Sequence, residues 1–449
     1  MANNEWAEAE VRVDRAHRLY DQGRWAEAAA ELQAAISVNP YQAAWHFNLG
    51  LALEAMENHQ EACRSFEAAL EIDDQDVECL NCLAANATRL ADYEKALDCY
   101  RRIDEIDRDF EPSYCNRIAT YAEMGDHETA ELMFYLARNL KDACPVCSYN
   151  IGNSLYSRGQ YDQAILSWNE VLRLDPSHVQ VHARLAEAHW QRLELGLAES
   201  HYRAQLAITP EDVDLLLDFG DLLVEMDQKE KAQHQYRKAL KLSPADPGAY
   251  LCLGELALAN DEIKEAQHLM AMVLRLDENN AIAHARMAQA LLREKRVQDA
   301  AKHLVIGLKN CRNDPAMLHE YSQILLDAHL TQQANRVLTR LVKLSPNDAN
   351  AHHNLAVTLF RLDKLEEGMS HCRKALDIQP RYPLALYNMA MAHVKQGKLH
   401  DAQVCVSEGL RLEPSNGPLQ DLARQLNRRE GLLSRIRDRL GRLWSGKGN

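Results

Sequence analysis

The sequence lacks the short motifs that mark common catalytic and nucleotide-binding sites. It contains no G-x-x-x-x-G-K-[ST], no G-x-G-x-x-G, no H-E-x-x-H, no G-x-S-x-G and no EF-hand loop. Each motif supplies a phosphate cradle, a metal site or a nucleophile, so their joint absence favours a protein that is not an enzyme. For the same reason we expect no cofactor.

Long apolar runs are also missing, and the first residues do not have the pattern expected of a secretory leader. No run approaches the ~20 apolar residues that a helix needs to cross a bilayer. The first residues, Met-Ala-Asn-Asn-Glu-Trp, carry neither a basic nor an apolar segment, which argues against a secretory signal. The eleven cysteines are odd in number and fall within helical pattern rather than loops. Their distribution predicts reduced thiols and a cytoplasmic protein.

Positive charge is in deficit over most of the chain. The net charge is −15, which argues against non-specific binding to nucleic acid because the phosphates would be repelled. The balance reverses at the end, where residues 424–449 hold eight Lys or Arg against two Asp or Glu. The preceding residues are therefore more acidic still.

The 18 glycines and 13 prolines form no linker, so one continuous architecture competes with a string of globular domains. What the sequence does contain is a repeat of 34 residues, marked by a small side chain in register from the first repeat to the last. These markers are Ala28, Ala62, Ala96, Ala130, Ala164, Ala198, Ala232, Ala266, Ala300, Ala334, Gly368 and Ala402.

Other positions keep the same register. A second small residue precedes the marker by twelve positions in most repeats, as at Gly50 and Gly152. A bulky residue follows it by four, as at Phe66 and Trp168, and proline often follows by twelve, as at Pro176. Two small residues let the helices of a hairpin approach closely, and the bulky residue fills the gap to the next hairpin. Proline ends the second helix because it lacks an N–H.

One repeat shows every element of this pattern. It reads Ser148-Tyr-Asn-Ile-Gly-Asn, then Gly159-Gln-Tyr-Asp-Gln-Ala, then Trp168, and ends at Asp175-Pro176. Gly159 stands where the chain must turn tightly between two helices. These stretches resemble the tetratricopeptide repeat family, and the resemblance covers about nine-tenths of the chain.

The period predicts an all-α fold of twelve tandem 34-residue helix-turn-helix repeats. The resemblance implies that these repeats form a right-handed α-solenoid, or superhelix, with a C-terminal cap helix. We expect an N-terminal lead-in over residues 1–8, the repeats over 9–416, the capping helix over 417–430 and a basic amphipathic tail over 431–449. The repeats start at residues 9, 43, 77, 111, 145, 179, 213, 247, 281, 315, 349 and 383. Because each hairpin contacts its neighbours alone, stability is a sum of local interfaces.

The resemblance implies a non-enzymatic scaffold that binds partner proteins or extended peptides in a concave groove lined by the first helices. Asparagine is frequent at the sixth position of the repeat, and its amide can bond both backbone groups of an extended peptide. The candidate groove residues, at this position and beside it, are Asn48, Asn81, Asn116, Tyr149, Asn150, Asn153, Arg184, Asn354 and Asn388. The alternative is that these amides bond neighbouring repeats to one another.

The basic tail allows a second function. Beyond Gly431, apolar side chains recur at helical spacing and arginines flank them. Such a cationic amphipathic helix is typical of segments that bind anionic membrane surfaces. The protein would then be a peripheral membrane-associated assembly factor anchored by residues 431–449. Alternatively, the helix packs on the last repeat as its cap.

A third hypothesis is a thiol redox or zinc protein. Cys144-Pro-Val-Cys147 stands near the start of a helix, where the N-terminus favours a thiolate. Together with Cys79, Cys82 and Cys115, a zinc site that bridges repeats three to five can be drawn. The alternative is that these small thiols replace alanine or serine in helix packing, with no metal bound. The sequence identifies neither the partner nor the oligomeric state.

Overall fold

The structure is a computed structural model, and it describes residues 2–140 and 144–428, with the side chains of residues 2–5 left out. The expected capping helix, 417–430, is described as far as residue 428, and residues 417–428 are helical. The expected basic amphipathic tail, 431–449, lies outside the described residues.

The fold class is all-α, as predicted, with no strand in residues 2–140 and 144–428. The first helix begins at Ala2, within the segment that the sequence assigns to a lead-in. The helices are α1 (Ala2–Asp21), α2 (Trp25–Val38), α3 (Ala43–Ala55), α4 (His59–Leu70), α5 (Val77–Arg89), α6 (Tyr93–Ile106), α7 (Glu111–Glu123), α8 (His127–Leu140), α9 (Pro145–Ser157), α10 (Tyr161–Leu174), α11 (Val181–Gln191), α12 (Leu195–Ile208), α13 (Val213–Glu225), α14 (Lys229–Leu242), α15 (Pro247–Ala259), α16 (Ile263–Leu276), α17 (Ala281–Arg293), α18 (Val297–Asn310), α19 (Pro315–Asp327), α20 (Thr331–Leu344), α21 (Ala349–Arg361), α22 (Leu365–Ile378), α23 (Pro383–Lys395) and α24 (Leu399–Leu412).

The chain divides into two compact units, residues 1–228 and 229–449. In the first unit α1 packs on α2, α3 on α4, and so on to α11 on α12; each hairpin also packs on the one after it. In the second unit the same arrangement runs from the hairpin of α15 and α16 to that of α23 and α24. Each unit is therefore a stack of helical hairpins.

One turn position has the same backbone conformation in every hairpin. Glycine occupies it at Gly23, Gly125, Gly159 and Gly397, with φ between 72° and 80°, which confirms the predicted tight turn. In the other hairpins a residue with a side chain adopts φ between 57° and 62° at this position. These residues are Glu57, Ala91, Leu193, Asp227, Asp261, Lys295, His329 and Asp363. The left-handed turn is thus set by the fold rather than by glycine alone.

Close approach of the two helices explains the small residues in the repeat. A Cβ added at Gly50 would lie 2.5 Å from Cε1 of Phe66 in the same hairpin. Bulky residues also reach the next hairpin, where the rings of Tyr202 and Phe219 lie 5.8 Å apart. The glycine that replaces the marker alanine at residue 368 has a local reason, since its added Cβ would lie 2.5 Å from Cε1 of Phe360.

Aspartate begins many of the first helices. Its carboxylate accepts a hydrogen bond from the N–H three residues later, which satisfies one of the unpaired donors at the helix start. Asp76 accepts from Cys79 at 3.0 Å and Asp212 from Leu215 at 3.0 Å. No helix in the described part of the chain is long and apolar enough to cross a membrane.

Candidate functional site: the face of the first helices

The first helices of neighbouring hairpins lie side by side within each unit. In the first unit α5 contacts α7, and α7 contacts α9. In the second unit α15 contacts α17, and α21 contacts α23. Side chains at the sixth position of successive repeats therefore come from adjacent helices on one face, as the repeat register predicts.

Three of the candidate asparagines bond the hairpin before them. Asn116 Nδ2 donates to Asn81 Oδ1 at 3.0 Å, so these two candidates meet across α7 and α5. Asn150 Nδ2 donates to the carbonyl oxygen of Cys115 at 2.7 Å. Asn48 Nδ2 lies 2.9 Å from Nε2 of a histidine on α1. All four amides are half-buried. At these positions the amides therefore bond neighbouring repeats to one another, which is the alternative that the sequence left open.

These bonds leave part of each amide for another ligand. An asparagine side chain has two N–H donors and an acceptor oxygen with two lone pairs. The bonds at Asn116 and Asn150 each use one donor. The Oδ1 of Asn153, one turn along α9 from Asn150, is buried without a hydrogen-bond partner among the described residues. Because this oxygen is buried, a ligand N–H could reach it only after a local rearrangement.

Tyr149 and Arg184 mark the next step along this face. Tyr149 on α9 donates its hydroxyl to Oε1 of Gln180 at 2.9 Å, immediately before α11. Arg184 on α11 pairs with Glu187, Nη1 to Oε2, at 2.9 Å. The pKa of Arg184 lies above its ordinary value, because Glu187 and Tyr149 outweigh the opposing effect of burial. The carboxylate of Glu187 therefore neutralises the positive charge of Arg184.

The two remaining candidates lie in the second unit. Asn354 is half-buried on α21 and Asn388 is half-buried on α23, and these two helices contact each other. The predicted groove residues are therefore divided between the two units, with Asn48 to Arg184 in the first.

The candidate set omits a carboxylate at the sixth position of the seventh repeat, which follows the repeat that holds Arg184. Asp218 on α13 has its pKa raised to about 6, chiefly by burial and then by the charges of Glu187 and Asp221. The face of α11 and α13 is therefore acidic. The repeat register locates Asp218, but the approach of Glu187 from the neighbouring helix, which contributes to the raised pKa, depends on packing that periodicity does not give.

The candidate set also omits an arginine on the second unit, at the sixth position of its repeat. Arg286 on α17 pairs through Nε with Glu255 at 2.6 Å and through Nη1 with Glu320. It thereby joins three successive first helices, α15, α17 and α19. Ion pairs across repeats depend on side-chain reach, which the sequence pattern does not specify.

Comparisons with known proteins agree with the repeat pattern. The family model of the C-terminal domain of cilia and flagella-associated protein 70, a tetratricopeptide repeat model, matches residues 177–385. Two further tetratricopeptide repeat models match residues 13–77 and 152–192. The chain is a tetratricopeptide repeat protein.

A curated relative is the type IV pilus assembly protein PilF of Pseudomonas aeruginosa. It is 32% identical over 82 residues, which make up 18% of this chain and 32% of that relative. The match thus spans about a third of the relative's length.

Two solved structures show long alignments at low identity. Yeast Tom70 is 14% identical with a TM-score of 0.45, and the alignment covers 96% of each chain. The Cut9–Hcn1 hetero-tetramer of the APC/C is 12% identical with a TM-score of 0.43, covering 92% of this chain and 95% of that one.

Proposed function

We propose that this protein is a non-enzymatic scaffold that holds an extended segment of a partner protein across the first helices of its first unit. The observation that carries the proposal is the row of half-buried amides on α5, α7 and α9, in which Asn116 meets Asn81 and Asn150 meets the Cys115 carbonyl. Repeat stacks of this class expose extended binding surfaces rather than enclosed pockets.

The amide row suits a peptide backbone. The hydrogen bonds between helices fix the orientation of each amide, so little side-chain entropy is lost when a ligand binds. The remaining donors and acceptors of Asn116 and Asn150 would pair with successive backbone groups of an extended chain. Recognition of this kind depends weakly on the partner's side chains.

Charge limits which segments are accepted. Glu187 neutralises Arg184 at 2.9 Å on α11, and the charges of Glu187 and of Asp221 on α13 both act on Asp218. An acidic segment would be repelled at this end of the surface. We therefore propose that the bound segment is neutral or basic where it crosses α11 and α13.

The test compares matched pairs of amides. The double variant Asn116→Ala/Asn150→Ala removes two amides of the first-helix face. The control Asn139→Ala/Asn169→Ala removes two exposed amides from the second helices α8 and α10 of the same hairpins. Affinity capture followed by mass spectrometry should recover the same partners with wild type and control, and lose them with the face variant.

Folding must be separated from binding in this comparison. Because Asn116 and Asn150 also bond neighbouring hairpins, the melting temperature of each variant is measured, and capture is performed well below it. Equal recovery of every partner by a folded face variant would contradict the groove assignment.

A second function rests on the arginine-flanked apolar pattern of residues 431–449. In this alternative the protein is a peripheral membrane-associated assembly factor, because such segments bind anionic lipid surfaces. Flotation with anionic vesicles should recruit the full chain and not a chain truncated after residue 430. If neither chain floats, the membrane function is wrong.

A further inference from the structure

Three cysteines and a glutamate converge between the fourth and fifth hairpins. Glu111 and Cys115 lie one turn apart on α7, while Cys144 caps the start of α9 and Cys147 lies in its first turn. One oxygen of Glu111 and the three sulfur atoms all lie within 4.8 Å of one another. Cys115 and Cys147 are buried and Cys144 is half-buried.

Cys115 makes two close sulfur contacts in this cluster, one to Cys147 and one to Cys144. Cys115 and Cys147 form a disulfide, with Cα atoms 4.8 Å apart. The third sulfur, that of Cys144, lies 3.4 Å from Cys115 Sγ, and Cys115 Sγ lies 3.7 Å from Glu111 Oε1. The sequence-based prediction that the cysteines are reduced is therefore wrong for Cys115 and Cys147 in this structure.

A tetrahedral metal site needs distances of this size. With Zn–S bonds of ~2.3 Å and a Zn–O bond of ~2.1 Å, the ligand atoms lie ~3.5–3.8 Å from one another. The observed separations of 3.4 Å and 3.7 Å are close to these values. Three thiolates and a carboxylate are also the donor types that Zn²⁺ accepts in proteins.

The start of α9 directs one backbone donor at the sulfur cluster. The N–H of Cys147 points to Cys144 Sγ at 3.4 Å, at the positive end of the α9 dipole. The other C-x-x-C pair of the chain differs, because Cys79 donates its S–H to the Phe66 carbonyl at 3.4 Å inside the helix packing. Burial raises the pKa of the thiol at both Cys79 and Cys144, so geometry rather than thiol acidity distinguishes the two pairs.

We propose that Glu111, Cys115, Cys144 and Cys147 bind one Zn²⁺ when the disulfide is reduced. A dithiol reductant would convert the Cys115–Cys147 disulfide into two thiols and itself become a disulfide. Binding of Zn²⁺ by the three thiols and the ionised carboxylate then releases three protons to solvent, because the ligands are thiolates. Disulfide and metal are mutually exclusive states of the same sulfur atoms.

The metal would brace the surface proposed to bind partners. Cys115 is the residue whose carbonyl accepts the Asn150 amide at 2.7 Å, and the zinc ligands come from the same two helices, α7 and α9. Zinc would therefore join these hairpins directly behind the amide row. The site does not depend on the proposed function, since metal binding is measured without a partner.

The test uses Co²⁺ as a spectroscopic substitute for Zn²⁺ on the full chain, reduced with a phosphine that does not bind the metal. We expect one Co²⁺ per chain, an intense thiolate-to-cobalt band in the near ultraviolet, and tetrahedral d–d bands in the visible that Zn²⁺ abolishes. Cys144→Ser should lose most of the thiolate band. Glu111→Gln should keep that band and shift the visible bands.

The matched control is Cys82→Ser, which alters the other C-x-x-C pair and should give the wild-type spectrum. Circular dichroism of each variant establishes that it is folded, and Glu111→Gln provides the test if Cys144→Ser is not. The proposal is overturned if the reduced wild-type chain titrates its full number of thiols and yet gives no thiolate-to-cobalt band. It is equally overturned if Cys144→Ser and Cys82→Ser give the same spectrum.

Discussion

Gly152 of α9 lies directly against the indole of Trp168 on α10. A Cβ added to the glycine would stand 2.4 Å from the indole Nε1. The same nitrogen donates a hydrogen bond to the Tyr149 carbonyl at 3.2 Å, so the ring cannot retreat without breaking that bond. Trp168 is fully buried. The glycine is therefore required by packing, although its backbone conformation is ordinary.

We expect Gly152→Ala to lower the free energy of unfolding by ~1–3 kcal/mol, the usual cost of overpacking a close-packed interior. Chemical denaturation followed by circular dichroism measures the change. Gly196→Ala on α12 is the control, because nothing stands within 4 Å of its added Cβ and alanine is the better helix former. A Gly152→Ala variant as stable as the control would contradict this packing role.

The second prediction concerns the shared turn position. Gly159 has φ of 72° and the equivalent Leu193 has φ of 60°, a region that costs residues with a side chain roughly 1 kcal/mol or more. Gly159→Ala should therefore destabilise the protein by ~1 kcal/mol, and Leu193→Gly should stabilise it by somewhat less because the unfolded chain gains freedom. Leu193 is 74% exposed, so its removal disturbs little packing.

The reciprocal pair of variants supplies its own check. If both substitutions change the denaturation midpoint in the same direction, conformational strain does not govern this turn. Leu197→Gly on α12 serves as a comparison for loss of an exposed leucine, since Leu197 is 51% exposed but helical, and it should destabilise.

The period of the sequence predicted the hairpins, the turns and the small-residue contacts because these features repeat. It could not show that eight turns without glycine share the left-handed conformation of the other four, since their side chains have nothing in common. At the candidate site, the register placed Asn116 and Asn150 on adjacent helices, and the structure adds their hydrogen bonds. The register did not single out Glu111, which lies one turn before Cys115 on α7, because the cysteines that join these two residues come from the next hairpin and the arrangement occurs once.

A charged side chain is buried in the helix packing of repeat four. Arg117 is buried on α7, where its guanidinium pairs with Asp104 at 2.7 Å and donates to the Tyr100 carbonyl at 2.8 Å. The rings of Tyr100 and Tyr114 each lie 5.1 Å from its central carbon. A buried charge is tolerated when it is paired and hydrogen-bonded in this way.

Arg117→Lys should lower the free energy of unfolding by about 2 kcal/mol, because lysine lacks the planar fork that reaches both acceptors and stacks on the rings. Arg101→Lys is the control, since Arg101 forms an exposed pair with Asp98 at 3.0 Å, and it should change stability by less than about 0.5 kcal/mol. If urea denaturation gives equal losses of unfolding free energy for the two variants, the buried pairing of Arg117 stabilises the protein no more than the exposed pairing of Arg101.

Asp218 should make the protein less stable as pH rises. Its pKa is raised to about 6 in the fold, chiefly by burial, against about 3.9 in an unfolded chain. The folded state therefore binds more protons between these values, and stability falls as pH increases through that window. Asp218→Asn should stabilise the protein at pH 7 by about 1 kcal/mol, after allowance for partial exposure, and should have no effect below pH ~3.5. A stabilisation independent of pH would contradict this account.

His201 should act in the opposite sense. It stands on α12 with Nδ1 3.0 Å from Nδ1 of His182, and its ring stacks on His189 with centroids 5.4 Å apart. Its pKa is lowered to about 4, first by burial and then by these two histidines. The unfolded chain, with a histidine pKa near 6.5, therefore binds the extra proton between pH ~6.5 and 4, so the stabilising contribution is complete above that window and is lost as pH falls through it.

The variant His201→Gln keeps a polar side chain that does not titrate, and it should flatten the loss of stability between pH 6.5 and 4. Asp218→Asn should steepen that loss, because it removes the group that gains stability on protonation. Urea denaturation at pH 7, 5.5 and 4.5 measures both slopes, and His400→Gln on α24, an exposed histidine, is the control. The two titrating groups lie on neighbouring hairpins of one unit. If the two variants change the slope of the unfolding free energy against pH in opposite directions, these particular side chains cause the pH dependence. Parallel changes would mean that the pH dependence comes from the net charge of the acidic chain, which all three variants alter little.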